Sequence, residues 1–180
     1  HMLDQFSREF SQLYPTARVL VAGKDDLARD ARRTFVARCA TGDWDGVVMT
    51  QSTFSRIETS IETQTDFIRD QLTIFDEAAH RASEGDNRAA AKAIEKAKAR
   101  LNSSLATLLN TETDLQSVTF EQLGVDYVFA DEAHAYKGLP FFTKLPIGTS
   151  SSKRATDMCM KLDWLRSQYG PKVATFATGT

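Results

Sequence analysis

The sequence predicts an α/β fold: a partial parallel sheet with flanking helices and an inserted antiparallel helical hairpin. Three observations carry this. Short, largely apolar runs at 18–22, 47–50, 127–130 and 173–177 alternate with helix-patterned segments, the order expected of a parallel sheet covered on both faces. Residues 57–111 instead place apolar side chains at heptad-like steps. That stretch falls between two strand-like runs, so it reads as an insertion projecting from the α/β body. The expected divisions are 1–56, 57–111 and 112–180.

Each element has its own justification. Leu3, Phe6, Phe10 and Leu13 share one helix face, and Tyr14-Pro15 ends that helix. Arg18-Val-Leu-Val-Ala22 predicts a buried parallel strand. Gly23-Lys24-Asp25-Asp26 is a turn with helix-starting acids, and a helix follows to about Ala40 with Leu27, Ala31, Phe35 and Cys39 on one face. Thr41-Gly42-Asp43 stops it, and Asp45-Gly46 turns into a second strand, Val47-Val-Met-Thr50.

In the insertion, Ile61, Ile68, Leu72, Phe75, Ala79 and Ala82 form one heptad-like series. Gly85-Asp86-Asn87 breaks it, and Ala90, Ile94, Ala97, Leu101, Leu105 and Leu108 form the second. Tyr127-Val-Phe-Ala130 is the third strand and runs straight into Asp131-Glu132-Ala133-His134. Residues 140–152, with two prolines and a Ser/Thr run, predict a long exposed loop. Lys153 to Tyr169 is a helix with Ala155, Met158, Leu162 and Leu165 inward; Gly170-Pro171 ends it, and Val173-Ala-Thr-Phe-Ala177 is the last strand.

Composition narrows the class. The 180 residues are 42% hydrophobic and 26% charged, ordinary for a globular domain with a core. A net charge of -2 supplies no global basic field, which disfavours nucleic-acid binding except through a local groove. No apolar run is long enough to span a membrane, and no basic-then-apolar leader opens the chain. Cys39 and Cys159 lack a CxxC partner and read as reduced thiols of a cytoplasmic protein. The three histidines are scattered, which argues against a structural zinc site.

The chemistry concentrates at residues 131–134. Ligands of open α/β sheets sit at the carboxyl ends of strands. An Asp there can hold Mg2+, and an adjacent Glu can orient a water for attack on a phosphoryl group. The plainer alternative is two solvated acids opening a helix. Phe75-Asp76-Glu77-Ala78-Ala79-His80 has nearly the same letters but lies inside the heptad pattern, so it is assigned no chemistry.

Strand-DEAH, then a helix, then a strand ending Phe176-Ala-Thr-Gly-Thr180 resembles motifs II and III of superfamily-two helicases. Thr41-Gly-Asp-Trp-Asp-Gly-Val-Val-Met-Thr-Gln-Ser-Thr-Phe54 resembles the stretch that closes with motif Ib. The order resembles more closely the Swi/Snf-like helicases of phages and conjugative elements, often fused to adenine methyltransferases. The segments are Leu-Tyr-Pro (13–15), Val-Leu-Val-Ala (19–22), Ala-Thr-Gly-Asp-Trp-Asp (40–45), Val-Thr-Phe-Glu-Gln-Leu-Gly-Val-Asp (118–126), Asp-Glu-Ala-His (131–134), Tyr-Lys-Gly-Leu (136–139) and Phe-Ala-Thr-Gly-Thr (176–180).

The resemblance implies a partial RecA-like first lobe and ATP hydrolysis coupled to movement along nucleic acid, with DNA the expected track. Asp131 is implied as the ligand of Mg2+ in Mg-ATP, and Glu132 as the residue that positions the attacking water. His134, Thr178 and Thr180 are implied to couple the nucleotide to the track. Thr50, Gln51 and Ser52 are implied to lie near it, where short polar side chains suit phosphate oxygens; a helix N-cap accounts for them equally well.

Departures matter. No GxxxxGK[ST] occurs, and Gly23-Lys24 is followed by Asp25, which repels phosphate. The phosphate-cradling loop and the second lobe are therefore expected to lie in a longer polypeptide, and these residues alone are expected not to turn over ATP. An apolar strand edge left open is expected to favour self-association, or a hairpin folding over the gap. Two other readings stay in view: a non-catalytic module whose hairpin binds a protein, and a metal-dependent hydrolase with Asp131, Glu132 and His134 as direct ligands.

The remaining polar and aromatic features read more plainly. Arg29, Arg32, Arg33 and Arg38 read as a solvated helix face, as do Lys92, Lys96, Lys98 and Arg100 on the hairpin. Lys137, Lys144 and Lys153-Arg154 surround the expected loop, and Trp44 and Trp164 read as core anchors.

Overall fold

A computed structural model describes residues 2–23, 26, 28, 31–84, 88–110, 118–138 and 152–179. The expected turn at 85–87, nearly all of the expected loop at 140–152, and Lys24, Asp25, Leu27, Arg29 and Thr180 lie outside the described residues. In chain order come α1 (Met2–Leu13), β1 (Val19–Val21), α2 (Arg32–Thr41), β2 (Gly46–Val48), α3 (Gln51–Phe54), α4 (Ile61–Glu84) and α5 (Arg88–Leu109). A 3-10 helix (Phe120–Leu123), β3 (Val128–Ala130), a second 3-10 helix (Ala133–Tyr136), α6 (Lys153–Tyr169) and β4 (Ala174–Phe176) follow. This is broadly α/β, and mostly helical. Its strands pair as β1 with β2 and β3 with β4. No helix among the described residues is long and apolar enough to cross a membrane.

Contacts gather the chain into two compact units, His1–Thr59 with Asp114–Val128, and Ser60–Thr113 with Phe129–Thr180. In the first unit β1 and β2 run parallel, with Val19 opposite Gly46 and Val21 opposite Val48. Residues 43–45 knit the start of this sheet. Asp45 accepts the Arg18 backbone N–H at 2.8 Å, Asp43 pairs with the Arg18 guanidinium, and the Trp44 indole N–H donates to the Arg38 carbonyl at 2.7 Å. Trp44 therefore closes the end of α2 from the surface, where the sequence reads it as a core anchor.

The core of this unit forms where α2 meets the first 3-10 helix, burying Phe35, Val36, Phe120 and Leu123. Phe120 donates its backbone N–H to Glu58 at 2.8 Å, and its ring meets Phe54 edge-on at 5.7 Å. Gly124, at φ 72°, closes that 3-10 helix in a left-handed conformation that a side chain disfavours.

One expectation changes here. The helix after β1 spans Arg32–Thr41, and Asp26 lies ahead of it in a turn. The Asp26 carboxylate instead accepts the Gly23 N–H at 2.7 Å, which closes a turn on the exit of β1. On α1, Phe6 and Leu13 are 49% and 75% exposed, so its apolar stripe is only partly covered. The helix leans on β1, a strand of three residues, while Phe10 lies over Gly46.

In the second unit α4 and α5 pack along each other, burying Phe75 and Ile94 and half-burying Ile68, Leu72, Leu101 and Leu105. Lys98 crosses to Asp76 at 2.7 Å, and the hydrogen bonds its ammonium donates to Asp76 and then to Glu95 raise its pKa. Helix α6 buries Ala155, Met158, Leu162 and Leu165, as its periodicity predicts. It starts on the Ser152 hydroxyl, which accepts the Ala155 N–H, and stops at Gly170 with φ 87°. Lys161 is fully buried as well, with Nζ 2.7 Å from Asp157. A sheet covered on both faces does not extend to β3, where Phe129 is 78% exposed while Ala130 is buried. An unbroken apolar run does not reveal that only one face of a short strand is covered.

Candidate functional site

The acidic pair emerges where the β3–β4 ladder goes out of step. Ala177 donates its N–H to the Ala130 carbonyl at 2.9 Å and accepts the Ala133 N–H at 2.8 Å. A regular parallel ladder would bridge positions two apart; here the span is three, so one residue is extra. Glu132 absorbs it with φ 53° and ψ 51°, the left-handed region, and among the described residues no other non-glycine has a positive φ. A bulky residue holds that conformation only where its surroundings fix it, and such positions cluster at functional sites.

The bulge turns both acids outward. Asp131 and Glu132 are exposed, and Asp131 Oδ1 accepts the Glu132 N–H at 2.8 Å. Glu132 Oε2 lies 2.9 Å from His134 Nδ1, with both side chains about half exposed. The second 3-10 helix then runs from Ala133 to Tyr136 and packs on α6. Tyr136 is half-buried, and its ring meets Phe176 of β4 edge-on at 6.3 Å. Burial raises its phenol pKa; Arg154 pulls it down and Asp157 pushes it up.

Asp131, Glu132 and His134 thus share one turn, and Thr178 follows the residue that clamps it. Thr180 lies outside the described residues. The acids stand at the exit of a strand, not inside a helix. The look-alike at 75–80 shows the contrast: Asp76 and Glu77 lie within α4 and pair with Lys98 and Arg81.

In the first unit, Thr50 caps α3. Its hydroxyl oxygen accepts the Thr53 N–H at 3.1 Å and lies 2.9 Å from the hydroxyls of Ser52 and Thr53. Gln51 and Ser52 occupy the first turn of that helix, at the carboxyl end of β2. Among the described residues no three His, Cys, Asp or Glu side chains group as a metal cage. An exposed carboxylate suits Mg2+, which keeps several waters and takes further oxygens from phosphates. A direct three-ligand metal centre at 131–134 has no such support.

Sequence reasoning missed the Ala177 backbone bonds, the Tyr136–Phe176 ring contact and the buried Asp157–Lys161 pair. The first involve the backbone, which carries no compositional signal. The last could have been found, because Asp and Lys four apart on a helix are neighbours.

A family model described as a probable helicase domain matches residues 2–180. No curated protein and no solved structure matches the chain.

Proposed function

Since the chain belongs to the probable helicase domain family, we propose that it forms the magnesium- and water-handling part of a RecA-like first lobe in a superfamily-two motor of the Swi/Snf-like kind. The observation that carries this reading is the bulge at the exit of β3, where Ala177 holds the turn bearing Asp131 and Glu132. In this reading Asp131 ligates the Mg2+ of Mg-ATP and Glu132 orients the water that attacks the γ-phosphorus. The ATP and its metal supply the phosphoryl group and the charge neutralisation; the chain supplies orientation. His134 and Thr178, with Thr180, carry the nucleotide state toward the nucleic-acid track.

DNA is the proposed track, approached by Gln51 and Ser52 at the carboxyl end of β2. The Thr50 hydroxyl is engaged in capping, so its part there is to hold that turn in place. Helices α4 and α5 are the proposed inserted hairpin. The sequence holds no GxxxxGK[ST], so the amides and lysine that cradle phosphate come from outside these 180 residues. Self-association is proposed as well, and the protein is proposed to act in the cytoplasm.

A second reading, a non-catalytic interaction module, draws on the exposure of Ile74 and Leu109 on the hairpin, 53% and 59%. One experiment separates the two. In the polypeptide that carries this domain at its full length, Glu132→Gln is expected to lower ATP hydrolysis by about 10²-fold or more while Mg-ATP still binds. Unchanged hydrolysis in Glu132→Gln would overturn the assignment, and no hydrolysis by the unsubstituted protein would favour the interaction module. The 180 residues alone are expected to release no phosphate.

A further inference from the structure

The turn that carries the acids is short and strained, so something must hold it. Its ends are tied by backbone bonds: the Ala133 N–H reaches Ala177 of β4 at 2.8 Å, and the Gly138 carbonyl accepts the N–H of Ser152, the residue that caps α6, at 2.9 Å. Between these ties the Tyr136 ring reaches across from the turn to β4. Tyr136 sets its ring edge-on to Phe176, with an interplanar angle of 71°, while its 3-10 helix packs on α6. The electrostatic neighbours of its phenol are Arg154 and Asp157, both on the first turns of α6. Tyr136 therefore sits between the strand that leads to Thr178 and the helix that precedes that strand.

We infer that Tyr136 is a positioning residue: its ring wedges the Asp131–His134 turn between β4 and α6 and sets where the Glu132 carboxylate stands. This deepens the motor reading and rests on it for the consequence in catalysis, but the wedge itself is a claim about local structure. Without the ring, the 3-10 helix loses the Tyr136–Phe176 contact with β4, and the turn that holds Glu132 left-handed loses part of its support. The phenol is not needed for the wedge, so Phe should serve in its place.

The test uses the full-length polypeptide carrying this domain, in unsubstituted, Tyr136→Ala, Tyr136→Phe and Phe176→Leu forms. Hydrogen exchange read by mass spectrometry reports peptides covering 131–138, 173–179 and, as a control, α4–α5. Tyr136→Ala and Phe176→Leu should each raise exchange across 131–138 by tenfold or more and leave α4–α5 unchanged. Tyr136→Phe should restore protection. If ATP is hydrolysed, kcat should fall at least tenfold in Tyr136→Ala with KM little changed, and Tyr136→Phe should recover it.

An equal rise over 131–138 and α4–α5 overturns the proposal, because the ring would then be holding the whole unit rather than the turn. No rise at 131–138 overturns it also, as does failure of both Tyr136→Ala and Phe176→Leu to fold. Absence of ATP hydrolysis in the unsubstituted protein counts against the motor reading alone and leaves the exchange result to decide the wedge.

Discussion

Glu132 Oε2 lies 2.9 Å from His134 Nδ1, across the tightest part of the turn that leaves β3. The side chain proposed to orient water is therefore held by the side chain proposed to report the nucleotide state. A carboxylate on an exposed turn would otherwise sample several rotamers, and orientation is most of what a motor ATPase asks of it. The extra residue in the ladder and the imidazole contact work in the same direction: the first turns Glu132 outward, and the second limits where its carboxylate goes.

That conformation has a stability consequence. A left-handed residue with a side chain costs about 1–2 kcal/mol, while glycine adds about 0.5–1 kcal/mol of unfolded-state entropy. Glu132→Gly is expected to leave stability unchanged or raise it by about 1 kcal/mol, while removing hydrolysis from the full-length protein. Thermal unfolding checks the first part. A loss greater than about 1 kcal/mol would show that the turn is not strained at this residue.

Gly42 is fixed by a neighbour rather than by its backbone. Its φ of -82° and ψ of 147° are open to any residue, yet a Cβ there would fall on the Trp44 indole nitrogen. Gly42→Ala must displace that ring and break its bond to the Arg38 carbonyl at the end of α2. The expected cost is about 1–3 kcal/mol, accompanied by a shift in tryptophan emission. Unchanged emission with unchanged stability would mean the indole does not close α2.

The sequence made some of this legible and hid the rest for identifiable reasons. The inward face of α6 was readable because Ala155, Met158, Leu162 and Leu165 repeat at helical spacing. The strand exit at Asp131 was readable because the apolar run stops at Ala130 and the acids follow at once. The bulge was not, since glutamate has no preference for left-handed backbone and Ala177 acts through its peptide group alone. The stripe on α1 marked the helix but could not tell that Phe6 and Leu13 stay exposed, because periodicity reports a face and not whether anything covers it. Thr50 could be read either as a cap or as a phosphate contact; its hydroxyl caps α3, which does not bear on the phosphate contact.

Lys161 has no exposed side-chain surface, and its ammonium meets Asp157, itself only 17% exposed, at 2.7 Å. Removing one partner leaves a buried charge, whereas removing both leaves a packing problem. Asp157→Leu is therefore expected to destabilise by about 3–5 kcal/mol, and Asp157→Leu with Lys161→Met to recover most of the loss. Denaturant unfolding of the two singles and the double gives the coupling. Additive losses would mean that the pair is not the reason these residues are tolerated inside.

Cys39 offers a check on burial in the other unit. Burial pushes its thiol from 9.0 up to about 11, against a smaller lowering by Arg38, while Asp26 raises it further. The folded state therefore holds the proton more tightly than the unfolded chain does. That contribution is complete below pH 9 and is lost as pH climbs from about 9 to about 11, because the unfolded thiol ionises first. The expected loss from this group is roughly 2–3 kcal/mol at most, the span from 9.0 to about 11 at about 1.4 kcal/mol per pH unit. Cys39→Ala should lower stability at neutral pH by leaving a small cavity, yet show a shallower decline across the alkaline window. Thiol labelling of the folded protein should be slow at pH 8, since little thiolate is present to react. Rapid labelling at that pH, with the fold intact, would mean that Cys39 is open to water and that the packing of α2 against the first 3-10 helix is looser than described.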